Sequence, residues 1–374
     1  MHTRLRSIVV LMFTVVVAAC IAPAQSTPFP VSETLHHLTT ETVTATLENA
    51  ALVNLPTLTP EVNPLTGQIV ADAAVLNRRP IVVKISNAPP LVRPQAGIGA
   101  ADLVFEHYVE GGLTRFSAVF YGQAPNRVGS IRSARLIDLE LVPMFGGLLA
   151  FSGASIGVED LLNTSDFQPR LYKGVLYGLP YYWRDEEIEV PHNMFMNPNA
   201  LWQLAANEGL NQRPDLHGLS FSQDVPPGSQ YPATKVDIRF RATRVIWKYD
   251  AGLGMYRRTA DGLGHFDANT LQQVTAANVV VIFADHQLSD IVESQFQDSV
   301  SYSVNINLMG EGDAFLFRDG RRFDARWVRA AREDIIGLRT LDGQVLDLKP
   351  GNTWFEVVRL PAQRTDAEEW LRVE

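Results

Sequence analysis

The chain has 374 residues, of which 46% are hydrophobic, a proportion that is ordinary for a globular protein. Its formal net charge is −9, because 41 acidic residues outnumber 32 basic ones. This balance argues against nonspecific nucleic-acid binding, which needs a basic surface, and against electrostatic adhesion to anionic lipid.

The first 19 residues are typical of a signal peptide. Arg4 and Arg6 precede a short apolar stretch at residues 8–19, whereas a transmembrane helix needs about 20 apolar residues. The stretch ends at Val17-Ala18-Ala19-Cys20, which resembles a bacterial lipobox. We predict cleavage before Cys20 and lipidation of its thiol, by acyl chains such as palmitate, so that the lipid anchors the protein to the outside of the cell membrane. The alternative is an ordinary signal peptide or short anchor with an incidental cysteine.

The rest of the chain divides by composition. Cys20 is the one cysteine, so the chain can form no internal disulfide and no cysteine-based zinc site. Removing the signal peptide leaves 30 basic and 41 acidic residues, a charge of −11. We predict a flexible tether over residues 20–62, an N-terminal α/β domain over 63–225, a mostly antiparallel β domain over 226–362 and a tail over 363–374, an α+β fold overall.

The first predicted domain mixes strand and helix patterns. The β-branched run at residues 81–85 predicts a strand, as do residues 102–109, 115–121 and 148–152. Residues 133–142 predict a short helix ended by Pro143, and Asn197-Pro198 predicts a capped helix to about Glu208.

The second predicted domain shows a two-residue alternation. Val236, Ile238 and Phe240 alternate with polar residues, and the same pattern recurs from Val245 to Tyr249. The pairs Asp261-Gly262, Asp319-Gly320 and Asp342-Gly343 predict hairpin turns. We therefore expect a small sandwich or open barrel.

A loop of glycine and arginine is the first candidate site. Residues 129–135 read Gly-Ser-Ile-Arg-Ser-Ala-Arg. If Ser133 caps a helix, free backbone N–H groups with Arg132 and Arg135 would bind a carboxylate or phosphate. The alternative is that both arginines form structural ion pairs with Asp138, Glu140 or Glu110.

A possible nucleophile is the second candidate. Residues 153–157 fit the G-x-S-x-G pattern with Ser155 at its centre, between an apolar run and a possible helix at 158–162. His192, in a Pro-His-Asn loop, is the best-placed base for a serine hydrolase or acyl-transfer enzyme. The alternative is a tight turn built from small residues. Gly264-His265-Phe266-Asp267 offers two metal ligands at most, and no cofactor or metal is predicted.

Several segments together resemble one family. They are residues 63–67, 79–83, 93–97, 101–106, 110–116, 129–135, 191–193 and 348–357. This order resembles the YerB-type bacterial lipoproteins, described as a two-part domain of unknown function. The resemblance implies a lipid anchor, an α/β part and a β part, and no established activity. Ser130 stands where the family pattern has proline, and Phe151 lies near a family histidine, which weakens any mechanism that needs a histidine beside Ser155.

The leading hypothesis is an envelope-facing binding or accessory protein, and the residues do not form a complete catalytic set. Its ligand would be an anionic or carboxylate-bearing envelope component, such as a cell-wall component, or a membrane protein. We expect Arg115, Arg132 and Arg135 to grip the ligand, and Glu106, Glu110 and His192 to line the site. The alternative is the hydrolase that uses Ser155 and His192.

Overall fold

The computed structural model describes residues 61–228, 230–365 and 368–374. The predicted signal peptide, Cys20 and all but the last two residues of the predicted tether lie outside these ranges. In the described part of the chain, the α-helices are α1 (Asp138–Met144), α2 (Ile156–Asn163) and α3 (Pro198–Asn207). Short 3-10 helices cover Ala73–Leu76, Pro90–Val92, Ile98–Ala100, Glu110–Gly112, Gln168–Arg170, Gly174–Leu176 and Pro361–Gln363. None of the described helices is long and apolar enough to span a membrane.

Strands make up most of the regular structure. Those of the first half are β1 (Ile81–Ser86), β2 (Leu103–Tyr108), β3 (Thr114–Phe120), β4 (Val128–Gly129), β5 (Leu148–Phe151), β6 (Leu171–Lys173), β7 (Tyr182–Arg184) and β8 (Met194–Met196). Those of the second half are β9 (Gln230–Pro232), β10 (Lys235–Arg239), β11 (Arg244–Asp250), β12 (Met255–Ala260), β13 (Leu263–Gly264), β14 (Thr275–Ala276), β15 (Asn278–Phe296), β16 (Ser299–Asn307), β17 (Gly310–Arg318), β18 (Arg321–Arg329), β19 (Gly337–Thr340), β20 (Thr353–Arg359) and β21 (Trp370–Val373).

The largest sheet contains strands from both halves of the chain. Its order is β19-β18-β17-β15-β20-β2-β3-β1-β5-β6, with β16 on β15 and β9 on β18. A second sheet has the order β13-β12-β11-β10-β21 with β14 on β12, and β4, β8 and β7 form a third. The second half is mainly strand, as its alternation predicts, but five strands of its long path continue the sheet of the first half. The second half therefore does not fold as the separate sandwich or open barrel that we expected.

The two halves meet where β2 pairs in parallel with β20. Residues 103–106 lie opposite residues 353–356. Phe105 stacks on Phe355 with ring centroids 4.6 Å apart, a contact that contributes about 1 kcal/mol beyond simple burial. All six residues of β1 and of β2 are buried, since these strands lie inside the sheet and are covered on both faces.

The helix predictions differ in accuracy. Asn197 caps α3, accepting hydrogen bonds from the backbone N–H groups of Asn199 and Ala200, with Pro198 at the first position, as predicted. The helix predicted at residues 133–142 is instead α1, which begins five residues later and contains Pro143. Ser133 is not its cap, because Ile137 takes that position without a side-chain hydrogen bond.

The hairpin turns follow the sequence. Asp261-Gly262 joins β12 to β13, and Asp319-Gly320 joins β17 to β18. All four residues have positive φ, from 51° to 85°, which matches the twist of a two-residue hairpin turn.

Candidate functional site

Three arginines and two glutamates from separate parts of the chain form one charged group, which we call the arginine cluster. Arg115 lies on β3, Arg132 and Arg135 lie in the loop before α1, Glu110 lies in the turn after β2, and Glu293 lies on β15. Ion pairs through Glu110 and Arg135 connect four of them, and Arg132 lies within electrostatic reach of the same two residues. With every group ionised, the arginine cluster carries a net charge of +1.

Arg135 and Glu110 make the strongest pair of the arginine cluster. Nε of Arg135 donates to Oε2 of Glu110 at 2.7 Å, and Nη2 of Arg135 makes a short bond to Oε1. Burial alone would raise the pKa of Glu110, but the hydrogen bond and charge of Arg135, followed by the charge of Arg115, lower it to about 2. This bidentate geometry is the structural ion pair that the sequence offered as an alternative.

Arg115 is buried beside that pair. Its Nη1 donates to the carbonyl oxygen of Ser133 at 2.7 Å, and its Nη2 lies 3.8 Å from Glu110 Oε1. Burial, together with the charge of Arg135, lowers the pKa of Arg115 to about 9. Arg115 therefore holds the loop at residues 129–135, which we call the arginine loop, in place while adding positive charge beside it.

Arg132 is much less engaged than its neighbours. Its Nη1 donates to the carbonyl oxygen of Pro191 at the long distance of 3.4 Å, and its buried Nε has no hydrogen-bond partner. Burial and the charge of Arg135 lower the pKa of Arg132. His192 follows Pro191, its Nδ1 also has no partner, and burial and the charge of Arg132 lower the pKa of His192. Arg132 and His192 thus lie together, a relationship that the sequence could not establish, and both have unused hydrogen-bonding atoms.

Most backbone N–H groups of the arginine loop are engaged, contrary to expectation. The N–H groups of Ile131, Arg132 and Ala134 donate to the carbonyl oxygens of residues 194, 84 and 153, at 2.7 to 2.9 Å. The N–H of Arg135 donates to Asp138 Oδ2 at 2.7 Å. Because these four donors are used and α1 begins later, anion binding at this loop would depend mainly on the arginine side chains.

A buried lysine supports the loop from below. Lys84 Nζ lies 2.8 Å from Asp138 Oδ1, and neither side chain is exposed. Lys84 also contacts Ser117 and His107 Nε2. Burial lowers the pKa of Lys84 to about 8 despite the charge of Asp138. The lysine within the apolar run of β1 was a signal of this support that the sequence analysis did not use.

Ser155 lies between β5 and α2, the strand–turn–helix context that a nucleophile elbow requires. Its φ and ψ are −65° and 157°, an ordinary extended conformation, whereas an elbow serine occupies a sharp, strained turn. Neither Ser155 Oγ nor His192 Nδ1 has a hydrogen-bond partner, so these atoms do not bond to each other. Apart from this position between a strand and a helix, the geometry lacks the strained turn and the serine–histidine bond that the hydrolase alternative requires.

Glu106 belongs to a different, fully buried network. Its Oε2 pairs with Arg258, and its Oε1 accepts from Asn87 and Thr114 at 2.9 and 2.7 Å. Glu106 therefore does not line the arginine cluster, contrary to prediction, because β2 alternates and sends it toward the second half of the chain.

The His265 and Asp267 pair is structural as well. His265 bonds to Arg258 and to Gln95, and Asp267 accepts from the N–H groups of Gly97 and Gly99. In residues 61–374, gaps aside, no three His, Cys, Asp or Glu residues are grouped to hold a metal.

Glu293 is the member of the arginine cluster that the sequence analysis missed. Its Oε2 lies 3.4 Å from Arg135 Nη1, its side chain is 1% exposed, and its Oε1 has no hydrogen-bond partner. It follows Arg135 by more than 150 residues, and no local pattern connects the two.

Two family models match this chain. Residues 65–211 match the model described as "Protein of unknown function (DUF3048) N-terminal domain", and residues 236–355 match the model of the corresponding C-terminal domain. The chain belongs to the DUF3048 family. The two matches together cover both halves of the shared sheet.

The chain is similar to a relative in sequence and to a solved structure. The chain is 29% identical over 300 residues to "Putative lipoprotein YerB" of Bacillus subtilis (strain 168), which covers 79% of this chain and 85% of the relative. The crystal structure of the YerB protein from Bacillus subtilis aligns with a TM-score of 0.69 at 27% identity, covering 83% of this chain and 99% of that one. The resemblance stated from the sequence is thereby confirmed, and the fold is shared.

Proposed function

We propose that this protein is a lipid-anchored binding protein of the cell envelope that grips an anionic group of a cell-wall component at the arginine cluster. The observation that carries the proposal is the contrast between Arg132 and Arg135. Arg135 commits Nε and Nη2 to Glu110, while its Nη1 donates to the Ala134 carbonyl and faces Glu293; Arg132 has one long bond to a carbonyl and a buried Nε without a partner. A guanidinium with unused donors beside two other arginines is suited to a carboxylate or phosphate.

An adjoining cavity supports the same proposal. A cavity of about 430 Å³ lies beside the Glu110–Gly112 turn and is also lined by Arg241, Arg359 and His286. Its volume suits a small ligand or one unit of a polymer. Arg241 and Arg359 in its wall pair with Glu368 and Glu369 through one nitrogen each, and their other donors would suit an anionic occupant that extends from the arginine cluster.

The location outside the cytoplasmic membrane rests on two independent supports. The relative from Bacillus subtilis carries the word lipoprotein in its name. The sequence of this chain has an apolar N-terminal stretch that ends at Cys20 in a lipobox-like pattern. Replacing Cys20→Ala should abolish acylation and move the protein from the membrane fraction to the soluble fraction, followed by radiolabelled palmitate and immunoblotting.

Binding to the cell wall is tested by co-sedimentation with purified sacculi. We would use residues 21–374, which omit the signal peptide and Cys20, and compare the wild type with Arg132→Ala. We expect Arg132→Ala to weaken sedimentation by about tenfold or more, because a desolvated charge-assisted bond is lost. Arg326→Ala is the matched control. Arg326 lies on β18 and forms ion pairs at the surface with Glu311 and Asp313 of β17.

Two results would contradict the proposal. Equal sedimentation of the wild type and Arg132→Ala would show that the arginine cluster does not bind the cell wall. Absence of sedimentation, with retention on membranes stripped of wall polymer, would point to a membrane-protein partner instead.

A further inference from the structure

A long β hairpin brings Glu293 to the arginine cluster. β15 pairs with β17 and β20 as far as Ala284. From Asp285 onward, its pairings among the described residues are with β16, interrupted by shifts in register between Leu288 and Ser294. This outer part of the hairpin is therefore held by its own ladder and by side-chain contacts with the body, not by the large sheet.

One face of the hairpin lies on the body. Residues 289, 291 and 293 are half-buried and alternate with the exposed residues 290, 292 and 294. Ile291 packs on Gly157 at the start of α2 so closely that a Cβ on Gly157 would lie 2.9 Å from Ile291 Cγ2. β16 lies along the Glu110–Gly112 turn. Residues of both strands, including Leu288 and Tyr302, form part of the wall of the 430 Å³ cavity.

The carboxylate of Glu293 is buried but poorly bonded. Its closest nitrogen is Arg135 Nη1, at 3.4 Å from Oε2, which is an ion-pair distance without a hydrogen bond, and Oε1 has no partner. By contrast, the carboxylate of Glu110, in the same cluster, accepts two hydrogen bonds from Arg135. A buried carboxylate without full hydrogen bonding is costly, so Glu293 is the member of the arginine cluster that a competitor can displace.

We propose that the group recognised by the arginine cluster is a carboxylate, and that Glu293 occupies its position until a ligand displaces the hairpin. The inference rests on the proposed function, because it assigns the ligand class and the control of that same site. The Glu293 carboxylate stands in for the ligand carboxylate beside Arg135. When it leaves, the arginine cluster changes from a net charge of +1 to +2, which an incoming carboxylate returns to +1.

The first test measures ligand affinity by calorimetry on residues 21–374. The probes are N-acetyl-D-alanyl-D-alanine, which ends in a carboxylate, its C-terminal amide and inorganic phosphate. We expect Glu293→Gln to bind the free dipeptide about 3- to 10-fold more tightly than the wild type, since the internal competitor is lost. The amide should bind neither protein. Asp290→Asn is the matched control, because it removes the same charge from the exposed face of the same hairpin.

The second test asks whether the hairpin has to move. A Cβ added at Gly157 would lie 2.9 Å from Ile291 Cγ2. In a disulfide, the Cβ of one cysteine lies roughly 3 Å from the sulfur of the other, so the two positions have suitable spacing. Gly157→Cys with Ile291→Cys should therefore form a clean cross-link, since residues 21–374 contain no other cysteine. We expect the oxidised protein to lose dipeptide binding at least tenfold and the reduced protein to recover it.

The outcomes separate the two proposals. Equal affinity in the oxidised and reduced proteins, or equal effects of Glu293→Gln and Asp290→Asn, would overturn the hairpin inference while sacculus binding stands. Tighter binding of phosphate than of the dipeptide by Glu293→Gln would overturn the carboxylate assignment. Hydrogen exchange of residues 288–304 provides a readout that needs no ligand, and we expect it to be faster in Glu293→Gln than in Asp290→Asn. Faster exchange without binding to sacculi or dipeptide would reject the proposed function. Glu293 would then only hold the hairpin on the body, and its role as a ligand substitute would be rejected too.

Discussion

Glu106 and Glu356 lie opposite each other on the parallel strands β2 and β20, and both side chains are fully buried. Trp247 Nε1 donates to Glu356 Oε1 at 2.8 Å, while Arg258 pairs with Glu106. Burial and then the charge of Glu106 raise the pKa of Glu356 well above its ordinary value. The junction between the two halves therefore keeps a proton at pH values where an exposed glutamate has lost it.

This proton makes stability depend on pH. Because the pKa of Glu356 is higher in the folded chain than in the unfolded one, its contribution is fully present below the ordinary value of 4.5 and is lost as pH rises through the folded pKa. We expect the wild type to lose stability from about pH 5 upward through this group. Glu356→Gln should remove that dependence and be more stable than the wild type at pH 8 by about 1–3 kcal/mol, because an amide carries no charge to desolvate. Urea denaturation at pH 5 and pH 8 measures the difference. Glu311→Gln, on an exposed part of β17, is the control, and the same slope in both variants would show that the pair is not responsible.

The two arginines of the loop should differ sharply in their effect on stability. Arg135→Ala leaves the largely buried Glu110 carboxylate without its two hydrogen bonds, and we expect a loss of about 3 kcal/mol in the free energy of unfolding. Arg132→Ala removes one 3.4 Å bond, and its cost should stay within about 1 kcal/mol. Thermal melts of both variants test this. Unfolding of Arg132→Ala would make that arginine structural and remove it from the proposed site.

The geometry of Ser155 predicts no covalent labelling. Its extended backbone and its lack of a bond to His192 provide no activated nucleophile. We expect a fluorophosphonate probe to leave the wild type and Ser155→Ala equally unlabelled in a gel assay. Labelling of the wild type that disappears in Ser155→Ala would restore the hydrolase hypothesis.

The N-terminal cap of α3 gives a local test of the fold. The Asn197 side chain accepts from the N–H groups of Asn199 and Ala200. Asn197→Ala should cost about 1 kcal/mol, whereas Asn197→Asp should retain most of the cap. Denaturant midpoints that are equal for Ala and Asp would mean that the cap contributes nothing measurable.

The predictions that succeeded from sequence depend on neighbours within a few residues. Asn197-Pro198 begins α3, Asp319-Gly320 makes its hairpin, and the run at residues 81–85 makes β1. Each depends on backbone preference or on the alternation of side chains along one strand, and both are properties of short segments. The helix predicted from Ser133 begins five residues later, because the backbone there is bonded to other parts of the chain: Arg132 N–H donates to Lys84 of β1, and Ala134 N–H donates to Gly153, just after β5.

The sequence by itself determined the amphipathic patterns and the acidic balance, and it indicated Arg115, Arg132, Arg135, Glu110 and His192 as candidate site residues without placing them in space. Tertiary structure decided which of these side chains are already satisfied. Arg135 is paired and Arg132 is not, Glu106 points into a buried network, and Glu293 arrives on a hairpin from the second half. Strand pairing and ion pairing join residues whatever their separation along the chain. The environments of Glu106 and Glu293 therefore depend on the pairing of β2 with β20 and on the position of β15 beside Arg135.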